Sequence, residues 1–475
     1  MTKLLRSKTT LVKSLCASAL LLVAGFPALI STSSCAFQEA ASEAKQSSAA
    51  TELVLAYPPV LVATDASQDF LKPPAGANIK EGVQIAKTPP TVDFMYYPGQ
   101  DHPGNPWSAW GDGCTFGDKY YSAIGDHLSP RGTALVFEYD SATKALRLLV
   151  DIRKFLESSG AIPEGMNYIP AKVHSRIDMG SDGWLYYSTH RGSPETTNDE
   201  YGYQGDWVFR TNPESGKTEI VVAYPVPKHT LPASVLDQER LIFYGSTMHG
   251  SDAPAKGVHF FAYDVKNKRL LLSAPDGFSR YAILSQSTGR VFWDGKMYDP
   301  ATNKITPSTA PDVRSATRET KEGVVYGTTG QSAAIWAFNV KTGELAQLGD
   351  GAVADSTYIT TMDIDPSGRY LYYIPGAHGP ASRDGTPVVQ FDVKTRTRKV
   401  IAFLAPFYTK KYGYTPDGTF GAALSPEGDK LYITWNGKRD PETRKWDTCA
   451  MTVIHIPASE RPSDAEHPQD AKRRP

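Results

Sequence analysis

The sequence predicts an all-β fold, a seven-bladed β-propeller closed by strands from both ends of the chain. Three observations carry this. A hairpin with a polar turn and an aromatic second strand recurs seven times, from CTFGDKYYSAIGDH through MGSDGWLYYSTH and LDQERLIFYGSTMH to LSPEGDKLYITWNG. A second motif, an aromatic followed by an Asp or Asn turn and a short strand, recurs six times, as in FEYDSATKALRLL and QFDVKTRTRKVI. Together they give four strands per unit at intervals of roughly 35 to 70 residues, the pattern of a propeller blade. The bland alternative, a pair of β-sandwiches, does not account for seven matched units.

The chain has 475 residues and a net charge of −1, with 21% charged residues. That balance lacks the basic excess of a nucleic-acid footprint, so no nucleic-acid partner is expected. Residues 1–36 read as an export signal: Lys3, Arg6, Lys8 and Lys13 precede an apolar run over 14–30 and small residues over 31–36. Cleavage after Ala36 and lipidation at Cys35 are both compatible with it, and membrane attachment is expected only with the lipid. Export implies a periplasmic or extracellular protein. No other segment is long and apolar enough to span a bilayer.

Residues 37–50 read as a polar linker, and 51–112 as a closing strand and loops. The apolar run at 53–62 is expected to supply the missing strand of the last blade, since only one strand, CAMTVIHIP, follows Trp435. Closure from both ends hides the last sheet edge. The propeller covers 113–458 and a polar tail 459–475. One short helix is expected at 151–159. A monomer is expected. Cys114 and Cys449 lie at opposite ends of the ring sequence, where export allows a disulfide; two buried free thiols are the equal alternative.

Candidate chemistry collects at one mouth of the ring. Of 10 histidines, His127, His190, His249 and His378 end second strands, while His174 and His229 lie near inner-strand starts. Arg176 follows His174 by two and is expected on the same face; Arg191 follows His190. Arg280 and Arg314 precede inner strands, and Tyr281, Tyr358, Tyr412 and Tyr414 lie near inner-strand starts. Such a bowl suits a carboxylate- or sulfate-bearing carbohydrate. The Tyr-Tyr pairs at 120–121, 186–187 and 372–373 read as blade packing, and Asp140, Asp264, Asp299 and Asp392 as turn formers. Two chemistries compete. Three imidazoles could hold a divalent metal, although no H-x-H or HExxH spacing is present. Alternatively His and Arg neutralise a uronate while a His or Tyr removes the α-proton, a β-elimination.

In the blade with KVHSRI and YYSTHRG, the chain resembles the secreted propeller polysaccharide lyases, the ulvan and oligogalacturonate lyases. The resemblance implies that His174 and His190 are the catalytic pair, with Tyr244 or Tyr281 and Arg176 or Arg280 assisting. It also implies a uronate-containing polysaccharide as partner. The close His and Gln cluster that holds metal in oligogalacturonate lyases is absent. Two other readings are open. One is a non-catalytic propeller binding a glycan or protein. The other is a gluconolactonase-like metal-dependent hydrolase, for which Asp112, Asp355 and Asp363 are the main candidate ligands.

Overall fold

A computed structural model describes residues 61–100, 107–379, 381–439 and 446–461. The expected export signal, the linker, Cys35 and all of the tail beyond Arg461 lie outside these residues. No helix among the described residues is long and apolar enough to cross a membrane.

Seven antiparallel sheets follow one another along the chain. Their second strands are Lys119–Asp126, Leu185–His190, Ile242–His249, Val291–Trp293, Val324–Thr328, Tyr370–Tyr373 and Lys430–Lys438, and they define blades 1 to 7. Seven apolar cores lie between them, one for each neighbouring pair, including blades 7 and 1. A core between last and first closes the ring. The Tyr-Tyr pairs show how. Side chains alternate along a strand, so Tyr186 enters the core shared with blade 3 and Tyr187 the core shared with blade 1. Tyr120 and Tyr121 divide in the same way, as do Tyr372 and Tyr373. One dipeptide therefore glues a blade to both neighbours.

The second motif is a turn with fixed chemistry. Asp140, Asn212, Asp264, Asp299, Asn339 and Asp392 each accept a backbone N–H two or three residues on. Four residues after each of them the backbone is left-handed: Lys144, Gly216, Lys268, Asn303, Gly343 and Arg396. Glycine adopts this conformation without strain, whereas a side chain adds about 1 kcal/mol.

Both ends of the chain complete blade 7. Thr448–His455 pairs with Thr91–Tyr96, which pairs in turn with Ala63–Ala66. The closing strand is thus Thr91–Tyr96 and not the expected run at 53–62. Of that run, 53–60 lies outside the described residues, and Leu61 and Val62 are bends. The run at 91–96 was disguised because it alternates poorly; all but Thr91 are buried. Asp93 anchors the closure. Its buried carboxylate accepts from Thr64, from Lys144 of blade 1 at 2.8 Å and from His455 at 3.0 Å. Burial opposes its ionisation, but these hydrogen bonds outweigh that and hold it down to about 2. Gln84–Ile85 adds a parallel fifth strand to blade 6.

Helix α1 (Ile152–Ser159) forms as expected, capped by Asp151 and ended by Gly160 at φ 66°. Helix α2 (Leu404–Tyr412) was not anticipated, because LAPFYTKKY shows no amphipathic period. It packs Phe407 and Tyr408 on Phe70, and Tyr408 and Tyr412 on Phe94. Cys449 is buried in the core between blades 7 and 1, while Cys114 packs against the core between blades 1 and 2. Both are free thiols, so the disulfide alternative is not formed.

Two outcomes are expected in denaturant unfolding. Phe94→Ala removes a fully buried ring from the closure and costs about 3–5 kcal/mol. Lys268→Gly and Arg396→Gly each stabilise by about 0.5–1 kcal/mol by relieving left-handed backbone.

Candidate functional site

The site is built by interruptions in the inner strands. In blade 1 Trp107–Ser108 pairs with the end of the second strand and Cys114–Phe116 with its start, and 109–113 bulges away. In blade 2 the inner strand is broken likewise. Lys172–Val173 and Asp178–Met179 pair, and 174–177 bulges. Blade 3 breaks register between Thr230 and Ala233, and blade 7 skips Asp417 and Phe420. A bulge leaves residues out of the ladder and re-aims their side chains. Trp110, His174 and Phe420 thereby converge.

Segment 109–113 crosses the channel. The Asp112 carbonyl accepts from the Ile177 N–H of blade 2 at 2.9 Å. Its carboxylate accepts from Tyr281 of blade 4 and, at 2.7 Å, from Thr361 of blade 6. Asn436 of blade 7 holds both the N–H and the carbonyl of Ala109. The glycines beside Trp110 and Asp112 permit this approach: a Cβ on Gly111 would sit 2.1 Å from the Ser175 carbonyl.

Trp110 is the centre of the bowl. His127 stacks on it at 4.5 Å between centroids and His174 at 5.8 Å. Phe420, His378 and Trp446 also contact it, and Trp446 is held by Asp417. The His174 and His190 rings are 4.8 Å apart. Each is matched with an arginine: His174 Nε2 with Arg280 Nη1 at 2.8 Å, and His190 Nε2 with Arg191 Nη1 at 2.9 Å. A guanidinium only donates, so His190 Nε2 is the accepting nitrogen of a neutral imidazole, and its buried Nδ1 has no partner among the described residues. Arg280 Nη1 faces both ring nitrogens of His174, and His174 Nδ1 also lies 2.8 Å from the Pro232 carbonyl.

Electrostatics favour neutral bases beside fixed cations. Burial, reinforced by Lys172, lowers His127 to about 3. Burial with Arg280 holds His174 well below its usual range, and burial with Lys172 does the same for His190. Burial and Arg314 lower Arg280 to about 10. Among the described residues, no carboxylate forms an ion pair with Lys172, Arg191, Arg280 or Arg314.

Of the expected residues, the structure gathers His127, His174, His190, Arg191, Arg280 and His378. It separates the others. Arg176 sits at the bulge and turns to the carboxylates of Asp178 and Asp112, which outweigh its burial and raise its pKa. Tyr281 spends its proton on Asp112. Tyr244 is fully buried between blades 3 and 4 and donates to the Gly289 carbonyl, so it is a packing residue. His249 lies beyond the blade 3 bulge, paired in register with His229 and clustered with it and His259. Trp110, Lys172, Phe420 and Trp446 escaped the sequence reading. The signal for Trp110 was its glycine-flanked setting, WGDGC. Arg314 and Tyr358 join the bowl, with Arg314 Nε 2.7 Å from the Tyr358 hydroxyl.

No three His, Cys, Asp or Glu side chains come together as a metal site among the described residues. Asp112, Asp355 and Asp363 are spoken for separately, by Tyr281, Asn78 and Arg318. Two surface depressions, one lined by Arg290, Phe338 and Lys341 and one by Arg269 and Asn303, lie on blade edges and hold none of the bowl residues.

No family model and no curated protein sequence matches the chain. Solved structures do. A manganese complex of oligogalacturonate lyase is 11% identical with a TM-score of 0.47, over 84% of this chain and 98% of that one. A mitotic checkpoint complex chain is 11% identical with a TM-score of 0.46, over 82% and 96%. A luciferin-regenerating enzyme is 11% identical with a TM-score of 0.41, over 77% and 97%. The propeller assignment rests on the chain's own strand pairing.

Behind His190, Asp206 is fully buried and accepts from Thr189 at 2.8 Å and Tyr168 at 3.0 Å. Burial pushes it up to about 7 from an ordinary 3.8. Its folded pKa is raised, so its contribution to stability is complete below pH ~4 and is lost as pH rises through ~7. Replacing Asp206 with Asn should flatten the pH dependence of unfolding free energy between pH 4 and 7, where the wild type declines by about 4 kcal/mol more.

Proposed function

We propose that the bowl binds an anionic carbohydrate and cleaves a uronate-containing polysaccharide by β-elimination. The observation that carries this is the set of three arginines, Arg191, Arg280 and Arg314, gathered with the Lys172 amine around an aromatic plate, none of them ion-paired to a carboxylate among the described residues. Cations without an ion-paired carboxylate in a partly desolvated cleft are complementary to an anion. Trp110 at its centre is partly exposed.

In this reading the uronate carboxylate bridges Arg280 and Arg314, both of which lie over Phe420. It displaces His174 as the partner of Arg280 and frees the Nε2 lone pair. Substrate thereby unmasks its own base. The imidazole of His174 or His190 takes the proton α to the carboxylate. The electron pair of that C–H bond forms the C=C bond as the adjacent C–O bond breaks. Tyr358 receives a hydrogen bond from Arg314 and keeps its own proton, which it gives to the leaving oxygen. Tyr358 takes the part once assigned to Tyr244 or Tyr281. The carboxylate's neutralisation lowers the barrier to carbanion formation.

A second reading, a glycan-binding propeller without turnover, is favoured by one feature. Both imidazoles already have their lone pairs occupied by arginine.

The test is ultraviolet absorbance of unsaturated uronate on a panel of uronic-acid polysaccharides. Absorbance should rise and be unaffected by chelator. His174→Ala and His190→Ala should each reduce the rate at least about 100-fold with the ring still folded by circular dichroism. Arg280→Ala should weaken substrate binding more than about 10-fold. Binding without absorbance change on any substrate selects the second reading, and absence of binding removes both.

A further inference from the structure

We propose that Lys172 is a nucleophilic amine that captures, as an imine, a carbonyl compound bearing an anionic group. Lys172 starts the broken inner strand of blade 2 and is 4% exposed. Lysines so deeply buried ordinarily have a counter-charge. This one forms no ion pair among the described residues, and its hydrogen-bond partner is His127 Nδ1 at 2.9 Å. Its neighbours toward the opening, Trp110 and His127, are both partly exposed, and Nζ lies 5.6 Å from the Trp110 ring centroid.

The groups facing the amine all favour its free base. Arg191 and Arg280 repel a proton, and the imidazoles of His127, His174 and His190 are neutral. Asp206 is the one opposing carboxylate, and burial holds it toward its neutral form. Burial and the two arginines accordingly lower Lys172 well below the usual lysine range. A lysine desolvated beside other cations is an activated nucleophile.

The chemistry balances with these residues. The amine lone pair adds to the carbonyl carbon as the C=O π bond opens, and His127 Nδ1 carries one of the two amine protons to that oxygen, giving a carbinolamine. His127 Nδ1 then carries the second amine proton to the departing hydroxyl as the nitrogen lone pair forms the new double bond. One water leaves and a C=N bond remains. Arg191 and Arg280 would hold the carboxylate of an α-keto or α-aldehydo acid. No α-proton is removed and no glycan is needed, so this goes beyond the elimination reading.

The test is reductive trapping. The full-length protein is incubated at pH 7 with glyoxylate and cyanoborohydride, and every lysine peptide is followed by mass spectrometry. Lys172 should acquire the reduced adduct at least about 10-fold faster than any other lysine, because each unit of lowered pKa raises the free amine tenfold. Lys172→Arg should lose that fast adduct. An unmodified Lys172 in the wild type, or one labelled at the rate of the surface lysines, overturns the proposal. The wild-type measurement decides this whether or not the variant folds, and independently of polysaccharide cleavage.

Discussion

The Asp112 carboxylate is the interaction on which the interior depends. It is buried, carried by a loop of blade 1, and accepts from blades 4 and 6 across the channel. A carboxylate in such a place is costly unless hydrogen bonds and counter-charges compensate it. Tyr281 and Thr361 supply the former; Arg176 supplies most of the latter, and Arg280 a smaller share. Burial still raises its pKa. The arrangement fixes segment 109–113 across the ring, and with it the position of Trp110. His127, His174, His378, Phe420 and Trp446 pack against that ring.

The same carboxylate explains why two arginines of similar sequence setting behave differently. Arg176 meets Asp112 and Asp178 and is charge-balanced. Arg280 touches the Trp110 carbonyl and His174 and lies beside Arg314, so it retains a demand for a negative partner. One is a structural cation and the other is available to a ligand.

The ring itself was legible in the sequence because its signals are local. The Tyr-Tyr pairs have the strand period, and the Asp or Asn turns repeat with constant spacing. The candidate site was legible in part. His174, His190, Arg191, Arg280, His127 and His378 sit at strand ends whose position follows from the repeat. Tyr244 was misjudged because strand alternation assigns a face only within a blade, and its face looks into the neighbouring blade. His249 lies away from the bowl because the blade 3 register breaks by one residue between Thr230 and Ala233 and leaves it paired with His229. Arg176 was placed with His174 on the assumption of an unbroken strand. Bulges leave little trace in the pattern of apolar residues, and bulges in four blades set the geometry here.

The closure joins Asp93 to His455, partners 362 positions apart in sequence. During synthesis the outer strand of blade 7 emerges first and must wait for the rest of its sheet until the last strand is made. Until then the cores on both sides of blade 7 are half-built, and the paired edges of blades 6 and 1 face solvent. Such distant pairing is slow to form because a long loop has to close before any contact rewards it. The propeller is therefore an open arc until Thr448–His455 has been made, and it becomes a ring in one late step.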